Sequence, residues 1–121
     1  MDEPPGKLLV GIVGPCGSGK STLVAALEAQ GYACRHIAQE HSYVQDMWKR
    51  ISHPDLLIYL HASFPISTAR RNFNWQEKEY AEQIRRLAHA RQHADFYLDT
   101  DTLTPDQVFQ AALTFLKNHK Q

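Results

Sequence analysis

The stretch Gly14-Pro15-Cys16-Gly17-Ser18-Gly19-Lys20-Ser21 constrains this chain more than any other. The apolar run Leu8-Leu9-Val10-Gly11-Ile12-Val13 leads into it, and a run of helix formers, Thr22-Leu23-Val24-Ala25-Ala26-Leu27-Glu28-Ala29, leads out. Glycines in such a turn let successive backbone N–H groups curl inward, and the new helix directs the positive end of its dipole into the same space. The result is a cradle for a polyphosphate anion. The nearly unbroken apolar strand before it predicts burial on both faces, as in the middle of a parallel sheet.

The rest of the chain alternates strand and helix signals. A first helix over 19–30 stops at Gly31, and residues 32–38 read as a second strand interrupted by Arg35 and His36. Val44, Met47, Trp48 and Ile51 recur at helical spacing and are expected to form a buried face, with contact to a nucleobase as the alternative for Met47 and Trp48. His53-Pro54-Asp55 ends that helix, and residues 56–61, Leu-Leu-Ile-Tyr-Leu-His, form the strongest strand after the first. Pro65 opens a long helical region that breaks near Asn72-Phe73-Asn74-Trp75 and resumes through Arg91, with Tyr80, Ile84, Leu87, Ala88 and Arg91 along one face. A short strand over 94–98 precedes Asp99-Thr100-Asp101. Thr104-Pro105-Asp106-Gln107 then carries the signature of a capping box, with Val108, Phe109, Ala112, Leu113 and Leu116 as the buried stripe of a last helix. Four strands separated by helices predict an α/β fold, a three-layer α/β/α sandwich around a small parallel sheet in the order 2-1-3-4.

With 121 residues the chain has room for one domain, expected over 8–121 behind a flexible tail at 1–7. Thirteen basic residues balance 13 acidic ones. That balance argues against nucleic-acid or membrane-surface binding, both of which favour a basic excess. No apolar stretch reaches the roughly 20 residues that cross a bilayer, and the acidic, proline-rich start does not read as a signal, so a cytoplasmic protein is expected. Cys16 and Cys34 show no metal-ligand spacing and are expected to be free thiols. His89 and His93 form an i, i+4 pair, for which a solvated helix face is the plainer explanation.

Gly14 to Ser21 satisfies the Walker A pattern G-x-x-x-x-G-K-[ST] in full, and from this point the chain resembles the P-loop nucleoside triphosphate-binding proteins. Two later segments are similar to the nucleotide and small-molecule kinases. Leu60-His61-Ala62-Ser63 followed by Arg70-Arg71 resembles the strand and arginine-bearing lid helix of that group, although His61 stands where aspartate is usual. Phe96-Tyr97-Leu98-Asp99-Thr100-Asp101 followed by Thr104-Pro105 resembles the last strand and adenine-side loop of shikimate, adenylyl-sulfate and cytidylate kinases.

The resemblance implies a P-loop fold with a lid at about 65–93, and ATP with Mg²⁺ as cofactors. Gly14, Pro15, Cys16, Gly17, Ser18, Gly19, Lys20, Ser21 and Thr22 would hold the triphosphate, with Lys20 on the β- and γ-phosphates and the Ser21 hydroxyl on the metal. A Walker B run ending in Asp-Gly or Asp-x-x-Gly is absent. Glu40, in a Gln39-Glu40-His41-Ser42 segment similar to the Glu-Arg-Ser of deoxynucleoside kinases, is the best acidic metal partner, with a plain loop acid as the equal alternative. Asp55 precedes its strand and faces the wrong end; Asp99 and Asp101 read as turn and cap residues. Arg70, Arg71 and Arg85 are the expected catalytic cations, since a guanidinium stays charged and binds two phosphate oxygens at once.

The leading expectation is a Mg-ATP-dependent phosphotransferase acting on a small-molecule or nucleotide acceptor. The alternative is a nucleotide-binding regulatory or interaction module, favoured by the short segment between the second and third strands. A GTPase lacks support because no Asn-Lys-x-Asp segment is present. The acceptor's identity and the oligomeric state are not legible.

Overall fold

A computed structural model describes residues 8–71 and 74–119; the expected tail at 1–7, and Asn72 and Phe73 of the expected helix break, lie outside the described residues. Four strands, β1 (Leu9–Val13), β2 (Ala33–His36), β3 (Leu56–His61) and β4 (Phe96–Asp99), form one all-parallel sheet in the order β2-β1-β3-β4. Helices α1 (Lys20–Ala29), α2 (Met47–Ser52), α3 (Phe64–Arg71), α4 (Glu77–Arg86), α5 (Ala88–His93) and α6 (Pro105–Asn118) fill the connections. The predicted strand order is the observed one.

Side chains on a strand alternate between faces, and this alternation divides the interior into two cores. Val10 and Ile12 of β1 and Leu56, Ile58 and Leu60 of β3 pack with Leu23 and Leu27 of α1 and Val108, Ala112 and Leu116 of α6. Val13, Leu57 and Tyr59 point the other way, onto Trp48 of α2, Leu87, and Ala90 of α5. Helices therefore cover both faces of the sheet.

Aspartates fix the register at the strand starts. Asp55 Oδ2 accepts from Leu9 N and Asp95 Oδ2 from Leu57 N, each at 2.8 Å. Asp55 thus lies at the end of the sheet opposite the glycine loop, as expected. The α6 capping box also forms: Thr104 Oγ1 accepts from Gln107 N at 3.1 Å, and Gln107 Oε1 accepts from Thr104 N at 2.8 Å.

Two expected faces are corrected. Helix α2 begins only at Met47, so Val44 precedes it, and Ile51 is 71% exposed; of that stripe Trp48 alone is buried. In the region after Trp75 the helix breaks at Leu87, and the buried positions are Gln83, Leu87 and Ala90, whereas Ala88 and Arg91 are exposed. Counting apolar residues misplaced this face because a glutamine occupies one of its inward positions.

Candidate functional site

The loop between β1 and α1 sits at the carboxyl end of the sheet and opens into a cleft of about 490 Å³. Its shape depends on glycine. Gly14 has φ +153°, and a Cβ there would stand 2.1 Å from the Leu60 carbonyl oxygen; Gly17 has φ +81°, and its Cβ would stand 2.8 Å from the Ser67 carbonyl oxygen. No other residue lets the loop approach β3 and α3 so closely.

Helix α1 starts at Lys20 with Gly19 in the N-cap position, where no side chain caps it, and its first turn carries no acid. The first-turn N–H groups of an α-helix lack intrahelical acceptors, so these open into the cleft as unneutralised donors at the positive end of the dipole. Ser21 and Thr22 are exposed there and line the cleft. This arrangement can bind an anion, and phosphate oxygens match it in charge and geometry.

Lys20 is 5% exposed and holds the loop from within. Its ammonium donates to Gly14 O at 2.6 Å, Pro15 O at 3.3 Å and Glu40 Oε2 at 2.9 Å. Glu40 belongs to a single 3-10 turn over Gln39–His41 that follows β2. It is 3% exposed, and its second oxygen, Oε1, is buried without a hydrogen-bond partner among the described residues. A buried carboxylate needs compensation for lost hydration, and the ion pair with Lys20 supplies only half of it. The orphaned oxygen has the chemistry to meet a cation or a metal-bound water.

The arginines divide. Arg70 and Arg71 both line the cleft. Arg70 works as a strut: Nη1 donates to Gly17 O at 3.1 Å and Thr100 Oγ1 at 2.9 Å, and Nη2 donates to Thr100 O. Arg85 is not brought to the cleft. It is exposed on α4 and paired with Glu82 at 2.5 Å, because the inward position of that helix belongs to Gln83.

Three site residues escaped sequence reasoning. Thr100 is 1% exposed and its hydroxyl lies 3.1 Å from Ser18 O and 3.0 Å from His61 O, tying the loop to the ends of β3 and β4. Gln83 reaches from α4 to the loop, accepting from Cys16 N at 3.0 Å and donating to Cys16 Sγ at 3.2 Å. Gln39, 1% exposed, donates to Val44 O and Arg86 O and accepts from Trp48 N at 2.8 Å, fixing the turn that carries Glu40. The usable signal was polarity in an otherwise inward-facing position, but polar side chains in turns and on helices are too common to single these out.

Asp99 and Asp101 behave as turn residues: Asp99 Oδ1 accepts from Asp101 N and Asp101 Oδ1 from Ser63 N. His89 is not simply solvated; its Nδ1 accepts from Trp48 Nε1 at 3.1 Å, and its ring centroid lies 4.2 Å from that of His93, tilted by 30°. Both cysteines are free. Among the described residues no helix is long and apolar enough to cross a membrane. No protein-family profile matches the chain, and no curated protein matches it.

Proposed function

We propose that this chain is a P-loop protein that binds ATP with Mg²⁺ and transfers its terminal phosphoryl group to a small hydroxyl-bearing acceptor. The observation that carries the reading is the glycine loop itself, closed over an uncapped helix start with a buried lysine beneath it. The triphosphate lies along Gly17 to Thr22, its charge met by backbone N–H groups and by Lys20, which exchanges Glu40 for phosphate oxygens. The apolar end of the cleft, where Leu103, Pro105 and Val108 meet, suits a nucleobase. Ser21 and Glu40 are the residues that would hold Mg²⁺, which supplies charge neutralisation for the phosphates when bound. Arg71 stands over the opposite wall beside Gly17. His36, Ala38 and His41 border the space left for the acceptor.

A second reading, a nucleotide-binding module without transfer, draws on the engagement of Arg70 with loop carbonyls and on the position of Arg85 outside the cleft. Calorimetric titration with Mg-ATP tests the common ground: Lys20→Ala should remove detectable binding, and an unchanged affinity in a folded variant breaks both readings. ATP consumption across a panel of nucleosides, nucleotides and hydroxyl metabolites separates them. Turnover with any acceptor supports transfer, whereas saturable binding with none selects the module.

A further inference from the structure

Three donor atoms of different chemistry converge at the acidic end of the cleft. Cys16 Sγ lies 3.8 Å from His41 Nε2, and His41 Nε2 lies 3.7 Å from Glu40 Oε2. One donor atom from each of the three residues falls within 4.8 Å of the other two. A tetrahedral ion with bonds of about 2.3 Å to sulfur and about 2.0 Å to nitrogen or oxygen spaces its donors roughly 3.3–3.5 Å apart. A contraction of a few tenths of an ångström in the two measured pairs would meet that spacing.

The cluster is held from behind. Gln83, itself buried, grips Cys16 at both its N–H and its sulfur. Glu40 brings a second observation: a carboxylate 3% exposed whose Oε2 pairs with the Lys20 ammonium at 2.9 Å and whose Oε1 is buried with no hydrogen-bond partner among the described residues. His41 is exposed, so its ring is accessible to an incoming ion.

We propose that Cys16, Glu40 and His41 form a binding site for a zinc-class transition metal, with its remaining coordination position open to the cleft. Thiolate and imidazole together select such an ion over the hard Mg²⁺. Binding displaces the Cys16 thiol proton to solvent and joins sulfur, imidazole nitrogen and carboxylate oxygen to the metal. The sequence marks Glu40 as a metal partner but does not join it to Cys16, since residue 16 lies in the loop and residues 40 and 41 follow the next strand. None of these observations depends on the cleft taking a nucleotide.

Cobalt(II), a spectroscopic substitute for zinc, tests this without nucleotide. The metal-free 121-residue chain should develop a near-ultraviolet sulfur-to-cobalt charge-transfer band that zinc abolishes by displacement. Cys16→Ser should lose the band and Cys34→Ser should keep it. His41→Ala, at an exposed position where circular dichroism should show the fold intact, should weaken cobalt binding at least about tenfold, since even partners behind a ligand are worth that much. Absence of the band in the parent protein, its survival in Cys16→Ser, or unaltered affinity in His41→Ala overturns the proposal. A failed ATP titration would leave this assay untouched.

Discussion

The two faces of the sheet are built by different means. On the α1/α6 face, Leu, Ile, Val and Ala side chains from strands and helices form a continuous apolar core. On the α2/α4/α5 face the apolar contacts are fewer, and the elements are tied by side chains bonded to distant backbone: Gln39 to Arg86 and Val44, Gln45 to Arg85, Gln83 to the glycine loop. The first face supplies stability without direction. The second supplies direction, because each bond has one donor, one acceptor and one geometry, and it is the face that fixes Cys16 and Glu40.

The largest effect that tests this division is Leu27→Ala. Leu27 is fully buried between α1 and the sheet. Truncation should cost about 2–5 kcal/mol through lost transfer energy and the cavity left behind. Urea unfolding should show one cooperative transition at lower denaturant, with amide exchange quickened throughout. A loss confined to α1 would mean that this face is not a single core.

Gln39→Leu probes the other face with nearly constant volume. It removes three hydrogen bonds and strands Trp48 N, at a cost of about 1–3 kcal/mol. Unlike Leu27→Ala, it should quicken exchange mainly over residues 39–48 and weaken Mg-ATP binding by loosening Glu40. Neutral stability with unchanged local exchange would refute the idea that polar ties organise this face.

Legibility in the sequence followed the same division. Strand order and the α6 stripe could be read because apolar residues recur at strand and helix periods, and burial there needs only apolarity. The glycine loop could be read because its backbone shape demands glycine at Gly14 and Gly17. Gln83 and Ile51 could not be read in the same way. Gln83 is buried for what it bonds, and Trp48 is buried while its helical neighbour Ile51 stays 71% exposed. Arg85 and Gln83 differ by a half turn on one short helix, which periodicity cannot resolve when the buried residue is polar. Thr100 was visible only as part of a turn, since its partners Ser18 and Arg70 are distant in the chain.

A smaller effect lies at the edge of the apolar face. Thr104→Ala removes the side chain that accepts from Gln107 N at the start of α6, and should cost about 1 kcal/mol. The thermal midpoint should fall slightly while ATP binding persists. A cost as large as that of Leu27→Ala would show that α6 is held by its cap rather than by Val108, Ala112 and Leu116.

The smallest effect leaves stability alone and compares the two thiols. Cys34 packs against the apolar face, and burial, assisted by the negative charge of Glu28, pushes its pKa up to about 11. Both causes disfavour the thiolate. Thiolate is the nucleophile, so a rise of this size cuts the reactive population roughly a hundredfold near neutral pH. In Cys16→Ser, iodoacetamide should therefore modify Cys34 far more slowly than it modifies a free cysteine in peptide, with the rate climbing as pH rises toward 11. In Cys34→Ser, Cys16 should respond instead to the polar side of the molecule, its rate changing when Gln83→Leu removes the bond to its sulfur. Mass spectrometry of timed reactions reads both. If Cys34 reacts like a free thiol at neutral pH, its side of the sheet is wetter than an apolar core allows; if Cys16 ignores Gln83, the polar tie does not govern the loop.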